Sequence, residues 1–285
     1  MVTPFEPDGA LDLDASRRVA RHLVANGSHG VVIAGTTGES PTLSDDEKLR
    51  LLDTVLDEIG DEATVIAGTG SNDTRHTAGL TAKARDVGAH AALVVTPYYN
   101  RPNRAGILAH YAAVADRAGD LPLVLYNIPT RTGLNLAPDL LAELATTVET
   151  IVAVKQANDD ELGPIEGLDV LAGNDNTFAR ALAFGAPGGI LVASHLVGLR
   201  MRELYDAAIA GDHDRAAEID GELAPVYEAT AATNPIPVKT GLELLGVADA
   251  VFRLPLVPAS DDERELVRSA LEGAGLLGAE VGADS

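Results

Sequence analysis

Lys155 closes the run "IVAVK" at 151–155, four apolar residues and then an amine, in a chain whose other lysines are Lys48, Lys83 and Lys239. An ammonium at the end of so hydrophobic a run is costly to desolvate. It is either a strand end reaching solvent or an amine meant to release its proton. As the neutral amine, a lysine so placed attacks a carbonyl and forms a Schiff base. Protons must then move as the carbinolamine collapses and an enamine forms, and the hydroxyls of Tyr126 and Thr36 are suited to relay them. The stretch "GTTGE" at 35–39 can bend at its glycines and offer successive N–H groups and a threonine hydroxyl to a small carboxylate. Arg131, two residues past Pro129, carries the planar fork for a second carboxylate.

Each residue alone has an ordinary alternative: a solvated strand-end lysine, a core tyrosine, a loop arginine in an ion pair, a plain turn. Their chemistry depends on elements that bring them together. Short aliphatic and β-branched runs recur at 31–35, 64–68, 91–97, 122–129, 151–155, 169–173 and 189–193. Most end in Gly, Pro, Thr or Asn, as strands buried on both faces should. Between them, 44–59, 73–87, 103–118, 137–147 and 176–184 have helical periodicity. With a further strand at 1–4 the pattern predicts eight βα units and an α/β fold, a closed (β/α)8 TIM barrel. The unit between 151 and 169 is short, and Gly163 and Pro164 reduce its helix to a stub.

After the eighth strand the alternation stops. Helices are expected at 200–210, 212–232, 237–246 and 260–273, the last with early-turn acids Asp261 and Asp262. This gives a barrel over 1–211 and a helical appendage over 212–285, with 278–285 as a disordered tail. Active sites of such barrels lie at the C-terminal strand ends. Those ends carry Thr36 to Glu39, Gly68 to Gly70, Tyr98 and Tyr99, Tyr126 and Arg131, Lys155, Gly173 to Asp175, and Ser194. The coincidence on one rim favours chemistry over accident.

Composition narrows the classes. The chain has 285 residues, 46% of them hydrophobic, and a net charge of −22 that opposes binding to a phosphate backbone. No apolar run approaches a membrane span and no signal peptide is visible, so a cytoplasmic enzyme is expected. With no cysteine, thiolate metal sites and thiol nucleophiles are excluded. The histidines lack H-E-x-x-H or comparable spacing, so no metal is implied. "GAGLLG" at 273–278 follows a helix, the wrong context for a dinucleotide.

The motifs "VTPF" (2–5), "GTTGES" (35–40), "TPYYN" (96–100), "YNIPTRTG" (126–133), "AVKQA" (153–157) and "NPIPVK" (234–239) cover nearly the whole chain. Together they resemble the dihydrodipicolinate synthase branch of the pyruvate-dependent class I aldolases. The resemblance implies condensation of pyruvate with L-aspartate 4-semialdehyde to 4-hydroxy-tetrahydrodipicolinate, in diaminopimelate and lysine synthesis, by a homotetramer built as a dimer of dimers. It makes Lys155 the imine-forming lysine, Thr37 a holder of pyruvate's carboxylate, and Thr36, Tyr99 and Tyr126 a proton relay in which Tyr99 serves the neighbouring subunit. Arg131 would bind the semialdehyde carboxylate, Ile190 would pack near the imine, and Gly173 would lie beside the keto acid. No cofactor is implied, since pyruvate is bound covalently as substrate.

Two other readings remain: a 2-keto-3-deoxy sugar-acid aldolase using the same imine, which Arg131 argues against, and a catalytically silent pyruvate-binding homologue. The chain departs from the family in beginning at "MVTPF", several residues short of the usual start, which clips the expected first strand, in a shorter segment from Lys155 to Asp175, and in Gln156 where an acid is usual. The family's lysine site corresponds to Ser40, Pro41, Asp45, Lys48, Asn72, His76 and Tyr98. His76 stands where lysine-sensitive members often have glutamate, so feedback by lysine is expected to be weak or absent; inhibition well below millimolar lysine would contradict this.

Overall fold

The computed structural model describes residues 1–278. Seven strands among them, β1 (Gly30–Ile33), β2 (Thr64–Gly68), β3 (Ala91–Val95), β4 (Leu123–Asn127), β5 (Ile151–Gln156), β6 (Asp169–Ala172) and β7 (Gly188–Gly189), form one sheet in chain order. Every pairing is parallel. The helices are α1 (Leu13–Ala25), α2 (Asp45–Ile59), α3 (Thr74–Val87), α4 (Arg104–Ala118), α5 (Pro129–Thr132), α6 (Pro138–Thr147), α7 (Phe178–Ala183), α8 (Ser194–Ile209), α9 (His213–Thr230), α10 (Ile236–Leu244) and α11 (Asp261–Gly273). None of the described helices is long and apolar enough to cross a membrane.

Side-chain alternation divides the strands between two environments. Val31, Ile33, Leu123, Leu125 and Val154 join the main core with helix residues such as Leu51, Val55, Tyr111 and Leu141. The intervening Val32, Val124, Tyr126 and Ala153 form a separate cluster on the other face, with Ile190 packed against it. A period of two therefore carries Lys155 to the face of Ala153 rather than that of Val154.

Local signals set the helix starts. Ser44 and Glu47 form a capping box on α2, as Ser260 and Glu263 do on α11. The expected stub after β5 is a 3-10 turn at Asp159–Glu161. Helix α8 begins six residues before the expected 200, and α1 was not anticipated at all. Asp12 caps α1 by accepting from Ala15 N, and Ala15, Val19, Ala20 and Leu23 bury one face of it.

The expected strand at 1–4 is corrected: these residues form no ladder among the described residues. They lie between β1 and the chain beyond β7, but are held by diverse groups. The Met1 nitrogen donates to Val32 O at 2.7 Å, Val2 N to His195 Nε2 at 3.1 Å, and Thr3 Oγ1 to Gly38 O at 2.7 Å. An imidazole on one side replaces the backbone carbonyl that a ladder needs. The strand expected at 189–193 likewise contracts to the two residues of β7, because Asp175 Oδ1 takes the amides of Val192 and Ala193, both at 3.0 Å. Of the expected tail, 279–285 lies outside the described residues.

Candidate active site

The register of β4 with β5 sets Tyr126 beside Lys155. Lys155 is 8% exposed, and its Nζ lies 4.4 Å from the centroid of the Tyr126 ring. Among the described residues it has no hydrogen-bonded or ion-paired partner, so the amine is uncommitted and available as a nucleophile. A cavity of about 320 Å³ opens here, and its wall includes Thr36, Thr37, Tyr126, Lys155, Ile190 and Ser194.

The turn after β1 is folded by its own backbone. Gly38 N donates to Gly35 O at 3.1 Å, Glu39 N to Thr36 O at 3.1 Å, and Ser40 N to Gly35 O at 3.2 Å. Two amides of the expected cradle, those of Gly38 and Glu39, are thus spent inside the turn, as is that of Ser40 just beyond it. The amides of Thr36 and Thr37 make no hydrogen bond among the described residues. The Thr37 hydroxyl accepts from Asn234 Nδ2 at 3.0 Å, which leaves its own proton to be donated. The anion donors available at this wall are therefore Thr36, Thr37 and their two amides, a smaller cradle than the sequence suggested.

A second cavity, about 650 Å³, shares Gly35, Thr36, Leu93 and Tyr126 with the first and is lined by Arg131. Arg131 sits on α5, exposed, with its guanidinium unpartnered among the described residues. The same cavity holds Ser40, Pro41, Asp45, Lys48, Asn72, His76 and Tyr98. Within it His76 Nε2 meets Asp45 Oδ1 at 2.9 Å, and burial pushes the Lys48 pKa down.

Gly173 directly follows β6, where its N donates to Gln156 O at 2.8 Å. A Cβ there would stand 2.6 Å from that same oxygen, so only glycine allows β6 to close on β5. Tyr99 is apart from the rest: it is 89% exposed, at a φ of 69°, and lines neither cavity. Sequence reasoning assigned no role to Asp175 beyond its place on the rim. Its carboxylate fixes the segment after Ile190 through Val192 and Ala193, and burial pushes its pKa up against those amide bonds and the nearby Lys155 charge. Its position at a strand end was the available signal; its partners, seventeen and eighteen residues on, were not. Among the described residues no group of three or more acidic, histidine or cysteine side chains gathers as a metal site would.

The arrangement joins a buried amine unpaired among the described residues and lying over a tyrosine ring, a turn with free hydroxyl and amide donors and, in an adjoining space, a guanidinium. Comparison with known proteins gives the same direction. The model of the dihydrodipicolinate synthetase family matches residues 1–274. A 4-hydroxy-tetrahydrodipicolinate synthase of Symbiobacterium thermophilum is 48% identical over 284 residues, covering 97% of each chain. The crystal structure of dihydrodipicolinate synthase from Thermotoga maritima superposes with a TM-score of 0.94 at 38% identity, over 97% of each chain. The chloride-inhibited enzyme of Acinetobacter baumannii, complexed with pyruvate, gives 0.93 at 37% identity, again over 97% of each chain.

Proposed function

The chain belongs to the dihydrodipicolinate synthetase family, and from that premise we infer that it is a 4-hydroxy-tetrahydrodipicolinate synthase, a lyase that condenses pyruvate with L-aspartate 4-semialdehyde on the way to diaminopimelate and lysine. The observation that carries this reading is Lys155: a buried amine without a hydrogen-bond partner, in register with Tyr126 and on one cavity wall with Thr36 and Thr37.

Lys155 attacks the ketone carbon of pyruvate. The carbinolamine formed loses its hydroxyl as water, with the proton supplied through Tyr126 and Thr36, and leaves the imine. Thr37 and the two free amides of the turn take the carboxylate. Loss of a methyl proton gives the enamine, whose carbon attacks the aldehyde of the second substrate while Arg131 holds that substrate's carboxylate. The new alkoxide is protonated. The amino group of the former semialdehyde then adds to the imine carbon, displaces the Lys155 amine and closes a six-membered ring. Ile190 and Gly173 shape the space beside the imine. The lysine itself activates the ketone, so no cofactor takes part.

The finer architecture proposed is a closed (β/α)8 barrel over 1–211, with residues 1–4 completing the wall, and a helical appendage from 212. The bonds of Met1 to β1 and of Val2 to His195 support this closure. The assembly proposed is a cytoplasmic homotetramer in which Tyr99 completes the relay of the neighbouring subunit, a reading supported by its exposure. The direct test is pyruvate-dependent consumption of L-aspartate 4-semialdehyde by the purified protein. Turnover of sugar-acid aldehydes in its place would contradict the substrate assignment.

A further inference from the structure

The turn that carries Thr36 and Thr37 ends in Glu39, whose carboxylate is fully buried and paired with Lys239 of α10 at 2.6 Å. The two residues are two hundred positions apart. Lys239 is enclosed on every side: its Nζ also donates to Val251 O at 2.5 Å and lies 4.6 Å and 4.8 Å from the ring centroids of Phe5 and Phe252. The second oxygen of Glu39 accepts from Arg253 N at 3.2 Å. Glu39 itself has a φ of 54° and ψ of 37°, a left-handed backbone that a residue with a Cβ rarely adopts. Two residues before α10, Asn234 Nδ2 donates to Thr37 Oγ1 at 3.0 Å.

Desolvating two charges is expensive, and apolar residues of similar size usually serve stability as well as a buried pair does. What the pair provides is one fixed geometry: a lysine with three donors and a carboxylate with two acceptors meet in a single way, and the left-handed backbone at Glu39 is held by them. Burial pushes the Lys239 pKa down, against the pull of Glu39. Asn234 acts on the same turn from a second direction and orients the Thr37 proton away from itself.

We propose that the buried Glu39–Lys239 pair and the Asn234–Thr37 hydrogen bond are positioning contacts, by which helix α10 holds the Thr36–Thr37 turn in the shape that receives the keto acid's carboxylate. This rests on the reading that the turn binds pyruvate there. Glu39, Lys239 and Asn234 touch no reacting atom; they set donors that do.

The test compares two carbonyl compounds that differ only in the anion, pyruvate and pyruvamide, by borohydride trapping at Lys155 over a range of concentrations. Two variants are used: Asn234→Ala, which removes one side-chain amide, and the double variant Glu39→Gln with Lys239→Met, which leaves no buried charge unpaired. In each, half-saturating pyruvate is expected to rise about tenfold, the loss of one charge-assisted hydrogen bond. Half-saturating pyruvamide and the KM for the semialdehyde are expected to stay unchanged. Folded variants with unaltered pyruvate dependence overturn the inference, as does a parallel shift for both carbonyls, which marks a structural role alone. If the double variant does not fold, Asn234→Ala decides the matter alone by the same criteria. If the unmodified protein traps neither compound at Lys155, the imine reading falls first and takes this inference with it.

Discussion

At the scale of single residues, Lys155 and Tyr126 were legible as strand-end residues, and strand alternation with their direct pairing sets both on the face of Val124 and Ala153. The two residues proposed to read carboxylates differ in how they are held. Thr37 is fixed by Asn234, whereas Arg131 is exposed and unpartnered among the described residues, on the cavity adjoining the lysine's. Arg131→Ala is therefore expected to leave imine formation intact and raise the KM for L-aspartate 4-semialdehyde at least tenfold, about the loss of one charge-assisted contact. Steady-state kinetics with each substrate varied in turn measures this, and unchanged aldehyde kinetics would remove the role given to Arg131. Glu39, Lys239 and Asn234 were not legible as a group. Their contacts join residues about two hundred positions apart, and no local periodicity encodes such a meeting.

At the scale of elements, the strands from β1 to β6 could be read from unbroken hydrophobic runs, and most helices from the polar stretches between them. The reading failed where contacts rather than propensity decide. Residues 1–4 are apolar enough for a strand yet pair through an imidazole, and α1 lies between that segment and the run at 31–35, a stretch in which no helix was recognised. Two predictions belong here. Gly173→Ala must push β6 off Gln156 O, and is expected to cost roughly 1–3 kcal/mol of stability by chemical denaturation and to reduce turnover; full retention of both would mean the strand end has slack. The second concerns His195, whose Nδ1 contacts Val192 O at 2.7 Å while Nε2 accepts from Val2 N. That pattern requires the neutral ring, and burial lowers its pKa from 6.5 to about 3. A base with a depressed folded pKa contributes stability above its unfolded value that is lost as pH falls. His110, lowered by burial to about 4, acts in the same sense. Stability should thus decline from about pH 6.5 toward pH 3, by up to ~1.4 kcal/mol per pH unit for each proton taken up on unfolding. Thermal melts across that range should flatten in His195→Gln, and an unaltered slope would exclude this histidine as a cause.

At the scale of the whole molecule, the charge of −22 keeps the surface anionic, so the anionic substrates proposed above need local donors, the role proposed for Thr36, Thr37 and Arg131 on the two adjoining cavities. Tyr99, exposed and outside both cavities, gains its proposed role only in an assembly. Lys155→Ala and Tyr99→Phe should each be poorly active, yet mixing them under exchange of subunits should restore about a quarter of the sites, since one site of each mixed dimer is complete. No recovery despite demonstrated exchange would place Tyr99 outside the relay. All of this presupposes the imine. The measurement that bears on it most directly is the intact mass of the protein after pyruvate and borohydride, with the modified peptide sequenced. The account predicts one pyruvate-derived increment per chain, on Lys155, and none in Lys155→Ala. An unmodified chain, or an increment on Lys48, Lys83 or Lys239 instead, would contradict it.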